Sequence, residues 1–313
     1  MAGSPSVEFD SVIVKEPTRH TYDYKIPTID VSSLKGLSYF LKGDILKNFN
    51  QDYGNLLSVL RTTVDPMALI TLFQFYDSEL RYFTFQDYQL VPTLEEFFHL
   101  LNLKVIDEVP FVRLPEKMKF EVIAEVLHLS CKEVKDNWKS SEGVEGFYLD
   151  FLVKKAEGLA RKENWGDFNL LFALMIYGIV LFPHKRNFVD LAAICVFRNR
   201  NPVPTLLADT LYTIHSRHRK GGNVNLCHPM LYQWLMLHLP VSGPFVDTRG
   251  SLQWSSRLVN LTSFDIRWNY VMGEVRSIIT SCGDYPNVPL MGTKGCINYN
   301  PVLAYRQFGV CNG

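Results

Sequence analysis

Apolar positions recur along this chain at the spacing of one helical face. Leu34, Leu37, Leu41 and Ile45 form such a stripe, as do Phe120, Ile123 and Leu127, then Tyr148, Leu152, Ala156 and Leu159, then Leu207, Leu211 and Ile214. Each stripe predicts an amphipathic helix that needs a partner surface. The run 170–182 is apolar all round and supplies one: it starts near Asp167 and stops at Pro183, like a helix buried at a domain centre. Its thirteen residues fall short of the about twenty that a membrane span requires, so no membrane segment is expected.

Start signals agree with the periodicity. Thr93 with Glu96, and Ser130 with Glu133, each have the spacing of a capping box. Pro229 stands where a first-turn proline is tolerated, ahead of Leu231, Trp234, Leu235 and His238. Strand signals are short: Tyr82 to Val91, where Phe83 and Phe85 share one face and Gln86-Asp87 allows a turn, and a weaker one at Val109 to Arg113.

The expected fold is therefore mainly α, a compact multi-helix domain around a central buried helix, with small β-hairpins. Residues 1–30, with prolines and no sustained period, read as an extended arm, and residues 31–313 as one domain. Within it, 245–313 is punctuated by Gly250, Gly283, Pro286, Pro289, Gly292 and Gly295, so a loop-rich section wrapping the core is expected, with 252–261 and 264–279 as its longer regular stretches.

Composition sharpens this. At 313 residues, 47% hydrophobic and 20% charged, the chain has ample material for a core and too little charge for disorder. Thirty-two basic against thirty-two acidic residues leave no net field, so affinity for nucleic acid would have to come from a local patch. The six cysteines are irregularly spaced without a C-x-x-C pair, and Met1 to Val14 carries no secretory pattern, so reduced thiols in an intracellular protein are expected.

Candidate chemistry is sparse. His215-Ser216-Arg217-His218-Arg219-Lys220-Gly221-Gly222 reads first as a well-ended helix and second as a phosphate-contacting patch, in which Arg217, Arg219 and Lys220 join Lys185 and Arg186. His215, His218, Cys227 and His228 are metal-ligand types at spacings no common zinc site uses. Asp247-Thr248-Arg249-Gly250 misses the Asp-Thr-Gly of an aspartic protease by the inserted arginine. A site assembled from distant groups such as His184, Asp190 and His228 stays open, because sequence does not show convergence. Phe83, Phe85, Trp165 and Trp234 read as core anchors.

The ordered segments carry a resemblance. The stretch 82–97, the run 169–183 ending in Leu181-Phe182-Pro183, and the segments 204–212, Gly221-Gly222 and 231–235 together resemble the plant mobile domain, most closely its legume, retrotransposon-associated branch. A departure is the turn Gln86-Asp87, where that family commonly has a glycine. The resemblance implies a helical, transposon-derived module in the nucleus, linked to transposon silencing or genome maintenance, with protein partners of the chromatin-associated or phosphatase-like kind. The family's "aminotransferase-like" label implies no chemistry here, since no Schiff-base lysine with a phosphate cradle is recognisable and no cofactor or metal is expected. The reading is a non-enzymatic protein-interaction module. Its alternatives are a nucleic-acid binder using the basic patch and an enzyme with a dispersed site.

Overall fold

The computed structural model describes residues 21–103, 117–268, 288–299 and 307. The fold is mainly α. Its axis is the helix Trp165–Ile176, which continues into a wider π turn at Tyr177–Leu181 before Pro183 ends it. Asn164 starts it by accepting from the Asp167 amide, and nearly every side chain from Phe168 to Phe182 is buried. Helices Ser32–Ser38, Gly43–Tyr53, Leu56–Arg61, Phe120–Leu127, Leu149–Arg161 and Leu191–Arg198 pack on this axis and bury their apolar stripes against it.

A second layer forms where Val203–Arg217 and His228–His238 both pack on Leu94–Leu101. Both capping boxes are formed: Thr93 with Glu96 and Ser130 with Glu133 each exchange side-chain and backbone hydrogen bonds. Phe83 and Trp234 sit in this layer with ring centroids 5.9 Å apart, and Phe85 is buried and stacked on Phe75 and Tyr88.

The sheets are small. Tyr82–Thr84 pairs antiparallel with Gln89–Leu90 around the Gln86-Asp87 turn, and with Tyr76–Asp77 on its other side. A second antiparallel sheet joins Lys139–Ser141, Val144–Tyr148 and Phe188–Asp190, and a hairpin of Val288–Met291 with Cys296–Tyr299 lies on helix Val203–Arg217. The N-terminal arm is tied down at Tyr24–Lys25, which pairs parallel with Gly222–Asn223. Gly221 has φ +65 and a Cβ there would lie 2.7 Å from the Asp23 carbonyl oxygen, so glycine is what lets the arm approach.

Four expectations are refined. The stripe Leu34 to Ile45 is two helices, because the chain breaks at Tyr39–Lys42 and restarts at Gly43 with φ +53. Trp165 is half-buried at the first turn of its helix and packs against the edge of the core, edge-on to Phe168 at 5.8 Å, while the fully buried side chains begin at Phe168. The stripe expected from Tyr148 begins later, because Tyr148 ends the strand Val144–Tyr148 and is 47% exposed, and the helix starts at Leu149. In the C-terminal section, the helix covers only Trp254–Val259, and Phe264 is 97% exposed. The strand expected at 109–113 and most of the stretch 264–279 lie outside the described residues. No described helix is long and apolar enough to cross a membrane.

Candidate functional site

The five cationic candidates do not share one surface feature. Lys185 and Arg186 line a cavity of about 410 Å³ with Pro27, Ile29, Asn225 and His228. Lys185 is engaged there, donating to Ser141 and pairing with Glu142 at 3.2 Å. Arg219 instead borders a hollow lined by Asp77 and Glu79. Arg217 and Lys220 close the last turn of Val203–Arg217, where cations complement the helix dipole. The two histidines between them add no charge at neutral pH. Partial burial, then the cations Arg81 and Lys220, holds His215 below its ordinary value, and burial with Arg219 does the same to His218. Tyr76 packs edge-on against both rings.

The metal-ligand types are spent separately. His228 Nε2 faces the Val224 carbonyl at 2.7 Å, and burial pushes this imidazole down to about 4. Cys131, Cys195, Cys227 and Cys296 are unpaired thiols, and among the described residues no group of three or more His, Cys, Asp or Glu could hold a metal ion.

His184 and Asp190 do converge. Asp190 caps the helix Leu191–Arg198 through the Ala193 amide, and its other oxygen meets His184 Nδ1 at 2.6 Å. His184 Nε2 meets the Thr293 hydroxyl at 2.6 Å, and that hydroxyl donates to Asp209. The order Asp, His, Thr is that of a nucleophile relay, yet its charge state is wrong for a base. Burial would lower the imidazole, but the hydrogen bonds and charges of Asp190 and Asp209 outweigh it and raise it to about 9. A protonated ring cannot take a proton from Thr293. Together with the Thr293 amide donating to Asp209 at 2.7 Å, the arrangement clamps the tip of the 288–299 hairpin onto helix Val203–Arg217.

A different region has the make-up of a binding surface. Asp65 opens helix Pro66–Phe73 by accepting from the Met67 amide at 3.0 Å, and its second oxygen accepts the Trp254 indole at 2.6 Å. This ties helix Trp254–Val259 beside Pro66–Phe73 and leaves a groove of about 750 Å³ between them, His228–His238 and the turn Pro244–Asp247. Tyr232, Met236 and Trp254 line it half-buried. Met67, Val241 and Leu252 stand at 55, 70 and 45% exposure along its edge.

Arg257 lies at the base of this groove, only 6% exposed. Its guanidinium lies 4.1 Å from the ring centre of Phe245 and 4.3 Å from that of Trp254, two rings that meet edge-on with centres 6.1 Å apart, and it donates from Nε and Nη2 to the Phe245 carbonyl. Burial first, then the nearby Arg249, lowers its affinity for its proton. Among the described residues no carboxylate pairs with Arg257 or Arg249. Pro240, Gly243, Pro244 and Gly250 make this stretch read as turns, which hides the site in the sequence. The one local signal is Trp254 and Arg257 three apart, the spacing of neighbours on a helix.

A family model described as a domain of unknown function (DUF7745) matches residues 34–312, spanning the helical body and the C-terminal section, and the chain belongs to that family. No curated protein and no solved structure matches the chain.

Proposed function

We propose that this chain is a non-enzymatic protein-interaction module that docks a partner protein in the groove between helices Pro66–Phe73, His228–His238 and Trp254–Val259. The observation that carries the reading is the cluster of Met67, Val241 and Leu252, exposed around Trp254 and Tyr232 in one concavity. Single exposed apolar residues are ordinary, but a contiguous set with aromatic, methionine and arginine neighbours is the composition of an interface centre. The hydrogen bonds of His184 with Asp190 and Thr293, and of Thr293 with Asp209, act as a clamp on the 288–299 hairpin, which supports the non-enzymatic part. The resemblance to the plant mobile domain supports the remainder: a transposon-derived origin, work in the nucleus and a link to transposon silencing or genome maintenance.

The test is site-specific photo-cross-linking in cells from position 252, with position 148 as an exposed apolar control on another face. A purified partner identified this way should lose binding to Leu252→Glu while the variant melts like the parent. Cross-links only to nucleic acid, or equal capture from both positions, would reject the reading.

A further inference from the structure

We infer that the partner element seated in this groove is an acidic peptide segment, with a carboxylate directed at Arg257 and Arg249 and an adjoining bulky apolar side chain packed on Trp254. The inference rests on the interaction reading above and names the chemistry of its ligand. Its starting point is a buried cation that no described carboxylate contacts and that Asp65 offsets only at a distance. Arg257 is a buried residue, 6% exposed, and buried cations are ordinarily paired with an acid. Arg257 has two aromatic faces and one carbonyl instead.

The nearest acid is already committed. Asp65 holds the Met67 amide with one oxygen and the Trp254 indole with the other, so turning toward Arg257 would break the tie between two helices. Arg249, exposed on the loop over the same groove, adds a second cation without a described partner. Asp65, Arg249 and Arg257 are the charged residues that line the concavity, so an incoming carboxylate finds an excess of positive charge there. The two hydrogen bonds to the Phe245 carbonyl and the corner formed by the Phe245 and Trp254 rings restrain the guanidinium, which lowers the entropy it loses on binding.

The remaining surface selects what accompanies the carboxylate. Met67, Met236, Leu252 and Trp254 offer apolar and adaptable area, and methionine accommodates varied side chains. A segment combining Asp or Glu with Leu, Phe or Met satisfies both parts. A nucleic-acid strand would bring phosphates to the arginines and bases to stack on Trp254, but no aliphatic side chain for the edge formed by Met67, Val241 and Leu252.

The experiment pans a phage-displayed library of random short peptides on the full chain and measures the recovered peptides against variants by fluorescence anisotropy. Enrichment of acidic-apolar sequences is expected, with affinity falling as salt rises. Arg249→Gln should weaken binding about tenfold, the scale of one charge-assisted contact. Arg249→Glu should weaken it further and recover it for a peptide whose acidic residue is changed to lysine. Arg257→Lys is a second probe, used only if its melting matches the parent. Peptides that Leu252→Glu abolishes but that lack acidic residues and ignore Arg249 would leave the interaction reading standing and overturn this inference. Peptides indifferent to Leu252→Glu would overturn both. Arg249-dependent binding of oligonucleotides with no peptide recovered, or cross-links from position 252 back to this chain, would overturn both as well.

Discussion

The indole Nε1 of Trp234 donates to Oε2 of Glu96 at 2.9 Å, joining two helices 138 positions apart. The same oxygen accepts the amide and hydroxyl of Thr93, both at 2.9 Å, while Oε1 accepts His238 Nε2 at 2.8 Å and Gln307 Nε2 at 2.7 Å. A glutamate that caps its own helix therefore also anchors helix His228–His238 and Gln307. Burial pushes the Glu96 carboxyl up, but the His238 ring and the Thr93 donors outweigh it and hold it below its ordinary value. With every donor in place the cluster fixes how the two helices register; with one missing it becomes a liability.

Trp234 is fully buried, so Trp234→Ala leaves a cavity and removes a donor from a buried carboxylate. The expected cost is about 3–5 kcal/mol for the cavity alone. Trp234→Phe keeps most of the volume and isolates the lost hydrogen bond, at about 1–3 kcal/mol. Arg219→Ala, on the exposed end of Val203–Arg217, should stay within about 0.5 kcal/mol of the parent. Urea unfolding of the three variants decides it. A Trp234→Ala protein with the parent's midpoint would show that the indole is not packed as described.

Two histidines make stability depend on pH in opposite windows. His184 is raised from 6.5 to about 9, so its contribution is full below 6.5 and is lost as pH rises through about 9. The loss is on the order of 3 kcal/mol, carried by the clamp with Asp190 and Asp209. His228 is lowered from 6.5 to about 4, so its contribution is full above 6.5 and is lost as pH falls toward 4. Unfolding free energies across these windows should fall on both sides of neutrality. His184→Gln should flatten only the alkaline side; an unchanged alkaline slope in that variant would remove His184 from the account.

The sequence made the local signals legible and the long-range ones not. Thr93 with Glu96 and Ser130 with Glu133 are three apart, and a capping box needs nothing beyond that span, so spacing alone announced both. That Glu96 also receives Trp234, His238 and Gln307 depends on packing between distant segments, which no spacing encodes. The run 170–182 was readable as central because it is apolar all round, whereas the Leu34 to Ile45 stripe misled because two short helices in sequence can share one apolar phase. The groove was hidden for a related reason. Phe245, Trp254 and Arg257 meet Met67 and Tyr232 only after folding, and their own stretch reads as turn-rich.

Gly178 tests the packing of the central axis with two effects of opposite sign. It lies in the π turn Tyr177–Leu181, and a Cβ added there would sit 2.7 Å from Val189 Cγ1, 2.8 Å from Cγ2 and 2.9 Å from Cβ. Val189 is fully buried in the strand Phe188–Asp190, paired with Phe147, and a β-branched side chain has few rotamers into which to retreat. In an open helix, alanine would be favoured over glycine by about 1 kcal/mol. Here overpacking should win and Gly178→Ala should destabilise by about 1–3 kcal/mol. Val189→Ala removes the two clashing methyls, so the double variant should be less destabilised than the sum of the singles, with a coupling of about 0.5–3 kcal/mol. A stabilised Gly178→Ala protein, or strictly additive effects, would mean that the turn and the strand stand further apart than the close approach at Gly178 requires.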